Sequence, residues 1–593
     1  MAVGFAGIVL APFVANVVTS LFSWLGGAAP MHFVGLGNYR ELFTDATFWR
    51  SFENSVYMVV AVVVVPTVIG LVIAAVLFDY LGRRFGDRVV SVLRATFYLP
   101  QILPIAVAGV LWSWILAQRD GAVNAVLRAL GAHDTPDWLG DPHIAVYSVM
   151  LVLVWLQTGY PVLIFMAALQ RLDPELHEAA EVDGAGWWRR FFAVTLPQIR
   201  PEVFVVVLTA TVGALKVFAP VLILTQGGPQ NSTYVPSYYS YLNFFEYSRV
   251  GYGAAIATVM SVLILVVATL LLAWQRSAKG RSMTAPVTPG AAQAAPPRAA
   301  GRAPRPRPHR FRSERFRAGR GQGPARWFVL AAMSLAALLV ASPFLLLILN
   351  SVKTEAGYAR GGPLSWPTSL SFSAWSKYIA DVDYPAALVN SVLISGLVAV
   401  FGVAVGLLAA YAIGIGRIRG RTAITGVLLF ATMLPQEALL YPLFSGAQAL
   451  GLRNTIWSVV IVFTVLQGAY GTYLLSSLLS TFPRSVLEAA ALDGAGRFRI
   501  LWRIVLPAMR PTLSVLLVFF FIWTWNEFYI PMVMLTDPGS QTVPIALSTL
   551  KGQNTIDITE LNAGSLLSLL PTLLFFLLFQ RTLTRGVTAG AMK

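Results

Sequence analysis

About thirty residues of this chain are written twice. Residues 174–201 read PELHEAAEVDGAGWWRRFFAVTLPQIRP, and residues 483–511 read PRSVLEAAALDGAGRFRILWRIVLPAMRP. Glu178-Ala179-Ala180 returns as Glu488-Ala489-Ala490 at an offset of 310 residues. Asp183-Gly184-Ala185-Gly186 returns as Asp493-Gly494-Ala495-Gly496, and Leu196-Pro197 as Leu506-Pro507, at the same offset. A polar pattern repeated at one fixed offset means two related halves, so any fold must be built twice. Local chemistry predicts the shape of each copy. Asp173 can cap a helix whose first residue is Pro174, where proline costs nothing. Glu, Leu and Ala favour the helix, and Gly184 and Gly186 should turn the chain. A second short segment follows, with Trp187, Phe191, Phe192 and Val194 apolar and Arg189 and Arg190 charged. Pro197 and Pro201, and likewise Pro507 and Pro511, should end it and open the next helix.

The rest of the chain is apolar. Of 593 residues 56% are hydrophobic and 12% charged, against about a quarter charged in soluble proteins. Twelve runs are long enough to cross a bilayer, which takes about 20 apolar residues each. They fall near 3–25, 54–78, 95–117, 145–168, 201–225 and 251–274, then near 327–350, 386–413, 423–445, 456–478, 511–535 and 561–580. Such spans must be helical, because lipid offers the backbone no hydrogen-bond partner. The expected fold is therefore an all-α membrane protein of two six-helix halves. The halves would be residues 1–275, with loop 174–201, and 327–593, with loop 483–511. The run at 3–25 has no basic start and reads as a true first span rather than a leader.

Charge sets the expected topology. The net charge is +16, but thirteen Lys or Arg and one acid, Glu314, lie between Arg276 and Arg326. That segment contains APPRAAGRAPRPRPHRFRSERFRAGRGQG, too rich in Pro, Gly and Arg for a core, and reads as a disordered linker. Beside membrane spans such charge indicates the cytoplasmic side and anionic lipid, not nucleic acid. Arg83, Arg84, Arg88 and Arg94, and Arg417, Arg419 and Arg421, mark further inside loops. Both repeated loops then fall inside, as do both termini and the linker. Residues 27–52, 118–143, 226–250, 351–385 and 537–560 fall outside. The 226–250 loop carries Tyr234, Tyr238, Tyr239, Tyr241, Phe244, Phe245 and Tyr247.

Several functions are excluded. The chain has no cysteine and five scattered histidines, so no metal site is expected. It contains no G-x-x-x-x-G-K-[ST] phosphate loop and no cluster of catalytic groups. A membrane enzyme is thereby disfavoured. A secondary transporter shares the six-plus-six arrangement but needs coupling-ion sites, and few ionisable residues lie within spans: Lys216, Glu437 and Glu527.

At the repeated stretches the chain resembles the permease subunits of ABC importers. Their EAA loop reads E-A-A, three residues, G, nine residues, a β-branched residue, one residue, L-P. Here that is Glu178-Ala179-Ala180, Gly184, Val194, Leu196-Pro197, and again Glu488-Ala489-Ala490, Gly494, Ile504, Leu506-Pro507. Residues 1–275 resemble the first subunit of the maltose type, with FVGLGNYRELF at 33–43 and LTQGGPQNST at 224–233. Residues 327–593 resemble the second, with WNEF at 525–528 and GVTAGAMK at 586–593. The family usually keeps these as two chains; here they are fused.

The resemblance implies a type I importer permease fold in the bacterial plasma membrane. It implies that Glu178, Ala179, Ala180, Asp183 and Gly184, and Glu488, Ala489, Ala490, Asp493 and Gly494, dock two separate ATPase subunits. ATP and Mg would be bound on those partners, with no cofactor and no catalytic residue on this chain. An extracytoplasmic solute-binding protein would deliver a carbohydrate: an oligosaccharide, a disaccharide or a polyol-type solute. The tail at 586–593 would reach between the ATPases.

Candidate path residues are Gln157, Tyr160, Lys216, Phe218, Gln467, Tyr470, Trp525, Asn526 and Glu527. Lys216 and Asn526 lie fifteen residues beyond Pro201 and Pro511, about 22 Å along a continuous helix. Two readings stay open for Lys216 and Glu527: a contact to sugar, or an ion pair holding the halves together.

Overall fold

The computed structural model describes residues 2–283, 325–416, 418, 420–550 and 557–590. Among them eight helices are long and apolar enough to cross a membrane: Ala46–Leu81, Ala145–Leu169, Val250–Gln275, Arg326–Ser351, Tyr384–Gly414, Ile456–Leu479, Arg497–Trp525 and Ile558–Phe579. Three more apolar segments are bent pairs. Asp87–Ile102 meets Ile105–Ile115 at 97°, Trp187–Gln198 meets Arg200–Leu215 at 70°, and Arg421–Met433 meets Glu437–Ala449 at 91°. A shorter apolar helix, Val3–Thr19, precedes them. The strands described are Phe22–Ser23 and His32–Phe33, paired antiparallel.

The spans expected near 95–117 and 423–445 are thus not straight. Each breaks at a Leu-Pro pair, Leu103-Pro104 and Leu434-Pro435, and the leucine is extended in both, with ψ of 133° and 136°. A residue before proline is pushed out of the α region, which ends the first helix of each pair. The run expected near 3–25 stops being helical at Thr19, and its end forms the small hairpin.

The spans after the repeated loops also stop early. Arg200–Leu215 ends with Lys216 as its C-cap, and helix resumes at Ala219–Leu224. In the second half Leu506–Trp525 ends with Asn526 as its C-cap, and helix resumes at Tyr529–Met534. Pro220 explains the first stop: its ring removes the N–H that would reach the Lys216 carbonyl four residues back. Pro531 stands in the same relation to Glu527. Pro511, expected to open a helix, instead sits inside Leu506–Trp525, whereas Pro201 does lie in the first turn of its helix.

The segment 226–250 is not a watery loop. It forms helix Pro236–Phe245, and Tyr234, Tyr238, Tyr239 and Phe244 are buried. Val543–Thr549 does the same within 537–560. Asp45 ties this layer down. One carboxylate oxygen accepts from the Thr47 amide, capping the helix that starts at Ala46. The other accepts the hydroxyls of Tyr239 at 2.8 Å and Tyr252 at 2.6 Å.

Small residues bring the helices together, as expected where lipid supplies no hydrophobic drive between them. A Cβ on Gly70 would lie 2.5 Å from Pro161 Cβ, and one on Gly406 would lie 3.4 Å from the backbone of Gly471 and Thr472. Phe520 is fully buried against Gly402 and Gly471.

The halves also exchange their first helices. Phe5 and Val9 pack with Ile413, Leu428, Ala431, Leu434, Val465 and Ala469 of the second half. In return Ala337, with Leu330, Met333 and Val340, packs on Leu81, Val90, Leu93 and Phe97 of the first. Trp155 Nε1 donates to Val340 O at 3.0 Å, and Trp114 Nε1 to the Tyr358 hydroxyl at 2.8 Å.

Helix Val250–Met283 runs past residue 275 into the segment expected as linker, and the next described helix starts at Ala325. The remainder of that linker, 284–324, lies outside the described residues, as do Arg417, Arg419 and the last three residues of the tail at 586–593.

Candidate functional site

The two repeated loops fold alike. Asp173 accepts from the Glu175 amide and caps helix Pro174–Val182; the second copy runs Arg484–Leu492. Each helix ends in a glycine in the left-handed region, Gly184 at φ +73° and Gly494 at φ +76°. The carbonyls freed at the helix ends are taken by the same bonds in both copies. Ala185 N reaches Ala180 O at 3.0 Å, and Ala495 N reaches Ala490 O at 3.0 Å. That is the wrapped helix end for which glycine is preferred. A short helix follows, Trp187–Arg190 or Arg497–Ile500, then one π-helical turn, Phe191–Thr195 or Leu501–Val505. Ala490, Ile500, Leu501 and Val505 seat the second loop on its own half, against Leu407, Ala410, Leu475 and Leu479.

What each loop leaves exposed is the informative part. Glu178, Ala179, Asp183 and Gly184 are exposed, and so are Glu488, Ala489, Asp493 and Gly494; Ala180 is half-buried and Ala490 buried. Beside them stand large apolar residues at matched positions. Val182 is 87% exposed and Leu492 89%; Trp188 is 68% and Phe498 76%; Phe192 is 57% and Trp502 56%. An exposed apolar patch is ordinarily an interaction site, and here it appears twice with the same composition and shape. The aromatic pairs Trp187–Phe191 and Trp188–Phe192 stack at 5.3 and 6.1 Å, which stiffens the first copy. The exposed apolar residues were not singled out as site residues from the sequence, although the 310-residue offset pairs each of them.

Between the halves lies a cavity of about 480 Å³, within the range of small-molecule sites. Its wall holds Gln157, Lys216, Phe218, Gln467, Tyr470, Asn526 and Glu527. Two expected path residues are elsewhere. Tyr160 packs with the apolar cluster around Phe97 and Phe165. Trp525 is buried and stacks on Phe521, while Trp523, two residues earlier and on another face of the helix, lines the cavity. The sequence reading also missed Gln101, Gln436, Glu437 and Tyr529, all in the wall. A signal for two of them exists: Leu-Pro-Gln occurs at 99–101 and at 434–436, beside the breaks of the bent pairs.

The wall is built from matched positions. Gln157 answers Gln467, Lys216 answers Asn526, and Phe218 answers Phe528, each at the 310-residue offset, and Gln101 and Gln436 each lie next to a helix break. The helix breaks put these groups there, because a stopped helix lets its last residues turn inward. Lys216 Nζ donates to Leu434 O at 3.0 Å and Thr432 O at 3.3 Å, the carbonyl end of helix Arg421–Met433. A cation is stabilised at a helix C-terminus. Glu527 accepts from Gln436 Nε2 at 3.3 and 3.4 Å. Among the described residues no ion pair joins Lys216 to Glu527. Lys216 does join the halves, but through backbone carbonyls. The rings of Phe218 and Tyr529, one from each half, lie 3.7 Å apart at one edge of the cavity.

Comparison with known proteins agrees with this doubled architecture. The model of the family described as binding-protein-dependent transport system inner membrane component matches residues 73–279 and again 402–587. The probable ABC transporter permease protein YurN of Bacillus subtilis (strain 168) is 35% identical over 269 residues, 45% of this chain and 91% of its own length. The sulfoquinovosyl glycerol transport system permease protein SmoG of Agrobacterium fabrum (strain C58) is 32% identical over 45% of this chain and 84% of its own. The lactose transport system permease protein LacF of Rhizobium radiobacter is 33% identical over 44% of this chain and 85% of its own.

Proposed function

Because the chain belongs to the family of binding-protein-dependent transport system inner membrane components, carrying its domain twice, we propose that it is the entire membrane pathway of an ABC sugar importer. One polypeptide supplies both permease halves, residues 1–275 and 327–593, joined by a cytoplasmic tether at 276–326. In this reading each bent pair and the short first helix count as spans, twelve in all, with both termini, the tether and the two repeated loops on the cytoplasmic side. ATP is hydrolysed with Mg on two separate ATPase subunits, and solute arrives from an extracytoplasmic binding protein.

The observation that carries this reading is the pair of matching exposed loops. Val182, Trp188 and Phe192 correspond to Leu492, Phe498 and Trp502 in position and in exposure. Two equal docking surfaces suit two copies of one partner, and a secondary transporter has no use for them. A carbohydrate solute is supported by relatives named for lactose and sulfoquinovosyl glycerol transport. It is also supported by a wall that holds both aromatic rings, Phe218, Tyr470 and Trp523, and amides. Lys216, Asn526 and Gln467 are assigned as groups that face the solute.

Affinity purification of the full chain from its native membrane tests the proposal. An ATP-binding-cassette ATPase should co-purify at two copies per chain. Recovery of the chain alone, active in transport under a proton or sodium gradient, would establish a secondary transporter instead.

A further inference from the structure

The charges in the cavity are not symmetric. Amides line the wall from both halves, but the acids come only from the second: Glu437 opens the helix after its break, where the first half's helix opens with Ile105 and Ala106, and Glu527 stands where the first half has Val217. The first half makes its two helix breaks with apolar residues, Ile105 and Val217, at those places. The backbone geometry therefore does not require the acids. Burying a carboxylate is costly, so acids that the fold does not need call for another explanation.

The hydrogen bonds show what the wall offers to a solute. Several donors are engaged within the protein. Gln436 Nε2 goes to Glu527, Gln467 Nε2 goes to Thr524 Oγ1 at 2.8 Å, and Lys216 gives two of its three N–H bonds to Thr432 O and Leu434 O. Acceptors are left over. Glu437 and Gln467 are each 4% exposed, and Glu437 Oε2 and Gln467 Oε1 have no partner. Gln101 Oε1 and Asn526 Oδ1 are also unpartnered, as is the Tyr529 hydroxyl, which can donate or accept. The orientation of the Gln467 amide is fixed by its bond to Thr524, whose own hydroxyl donates to Phe520 O.

We propose that this cavity is charge-selective, accepting hydroxyl- and ammonium-bearing solutes and rejecting anionic ones such as uronates, sulfonates and sugar phosphates. This rests on the reading of the cavity as the solute pathway. A hydroxyl donates to the unpartnered oxygens, and an ammonium adds charge pairing with Glu437 and Glu527. An anion loses its hydration and meets two carboxylates against one ammonium already held by backbone carbonyls.

Absence of native cysteine allows a direct test. The wall residue Thr432 is replaced, Thr432→Cys, and the full chain in lipid nanodiscs is treated with three methanethiosulfonates built on the same two-carbon arm: neutral hydroxyethyl, cationic trimethylammonium-ethyl and anionic sulfonatoethyl. Rates are normalised to the same reagents on Val182→Cys, an exposed position. Any shift in thiol acidity acts on all three reagents alike, so the ratios report the cavity. The normalised cationic rate should exceed the anionic rate by about tenfold or more, with the neutral reagent reacting readily. Adding Glu437→Gln and Glu527→Gln should bring the two charged rates together. Equal charged rates, a faster anionic rate, a cationic reagent excluded along with the anionic one, or a bias that survives the double substitution would each overturn the proposal. Failure of the neutral reagent as well would instead overturn the reading of the cavity as a solute pathway.

Discussion

Gly184 and Gly494 offer the sharpest separation of loop shape from fold stability. Both sit at positive φ, and a Cβ built on either would meet nothing within 4 Å. Valine there is opposed only by the backbone conformation, and the left-handed region costs an L-residue about 1–2 kcal/mol, with β-branched residues least suited to it. That range lowers the population of the observed loop shape about 5- to 30-fold. No core contact is lost, because both glycines are exposed. The Gly184→Val, Gly494→Val double variant should therefore insert and unfold thermally like the parent. With its ATPase and binding protein in proteoliposomes, it should lose both transport and the stimulation of ATP hydrolysis by loaded binding protein. Gly184→Asn, Gly494→Asn keeps the left-handed turn at small cost and should retain most of the coupling. Parental coupling in the valine pair, or equal loss in both pairs, would refute the argument that turn geometry sets docking.

Other consequences follow from the same structure. Lys216→Ala removes a link to the carbonyls of Thr432 and Leu434 and a group of the solute path; transport should fall severalfold while basal ATPase activity persists. Asn526→Ala should act alike, and loss of assembly in Lys216→Ala that Glu527→Gln restores would mean a structural ion pair instead. Gly70→Val forces side-chain atoms into Pro161 and the Val162 amide, and should reduce yield and lower the melting temperature of the first half. Because each half packs its first helix on the other, halves cut between Ala291 and Arg298 and co-expressed should assemble and transport; two well-expressed halves that stay apart would refute this. Deleting Gly586 to Lys593 should lower coupled ATPase activity in an assembled complex, and unchanged activity would assign the tail no role.

Much of this architecture is legible before any coordinates. The 310-residue offset gives two halves, and proline and glycine chemistry gives the loop: Asp173 caps, Gly184 turns, Pro201 starts a helix. The helix breaks were hidden by their own composition. Runs such as 201–225 and 511–535 are apolar along most of their length, and length alone reads them as straight spans. The stops come from Pro220 and Pro531 acting on carbonyls four residues back, a local rule that outweighs the apolar pattern. Those stops bring Lys216 and Asn526 to the cavity wall. Helical phase explains Trp525: at 100° per residue it and Trp523 cannot share a face. Glu437 was visible as a charge within a span, but its place opposite Lys216 depends on the 91° bend that follows Met433.

The central claim, one chain that docks an ATPase on each half, is tested most directly by cross-linking at its two most exposed matched positions. In the cysteine-free background, Val182→Cys and Leu492→Cys are made singly and together, and each protein is purified with its ATPase and treated with a short bifunctional thiol reagent. Each single variant should give a covalent adduct with one ATPase subunit, and the double variant an adduct with two. Adducts from only one of the two loops, or none while the complex remains intact, would contradict the account.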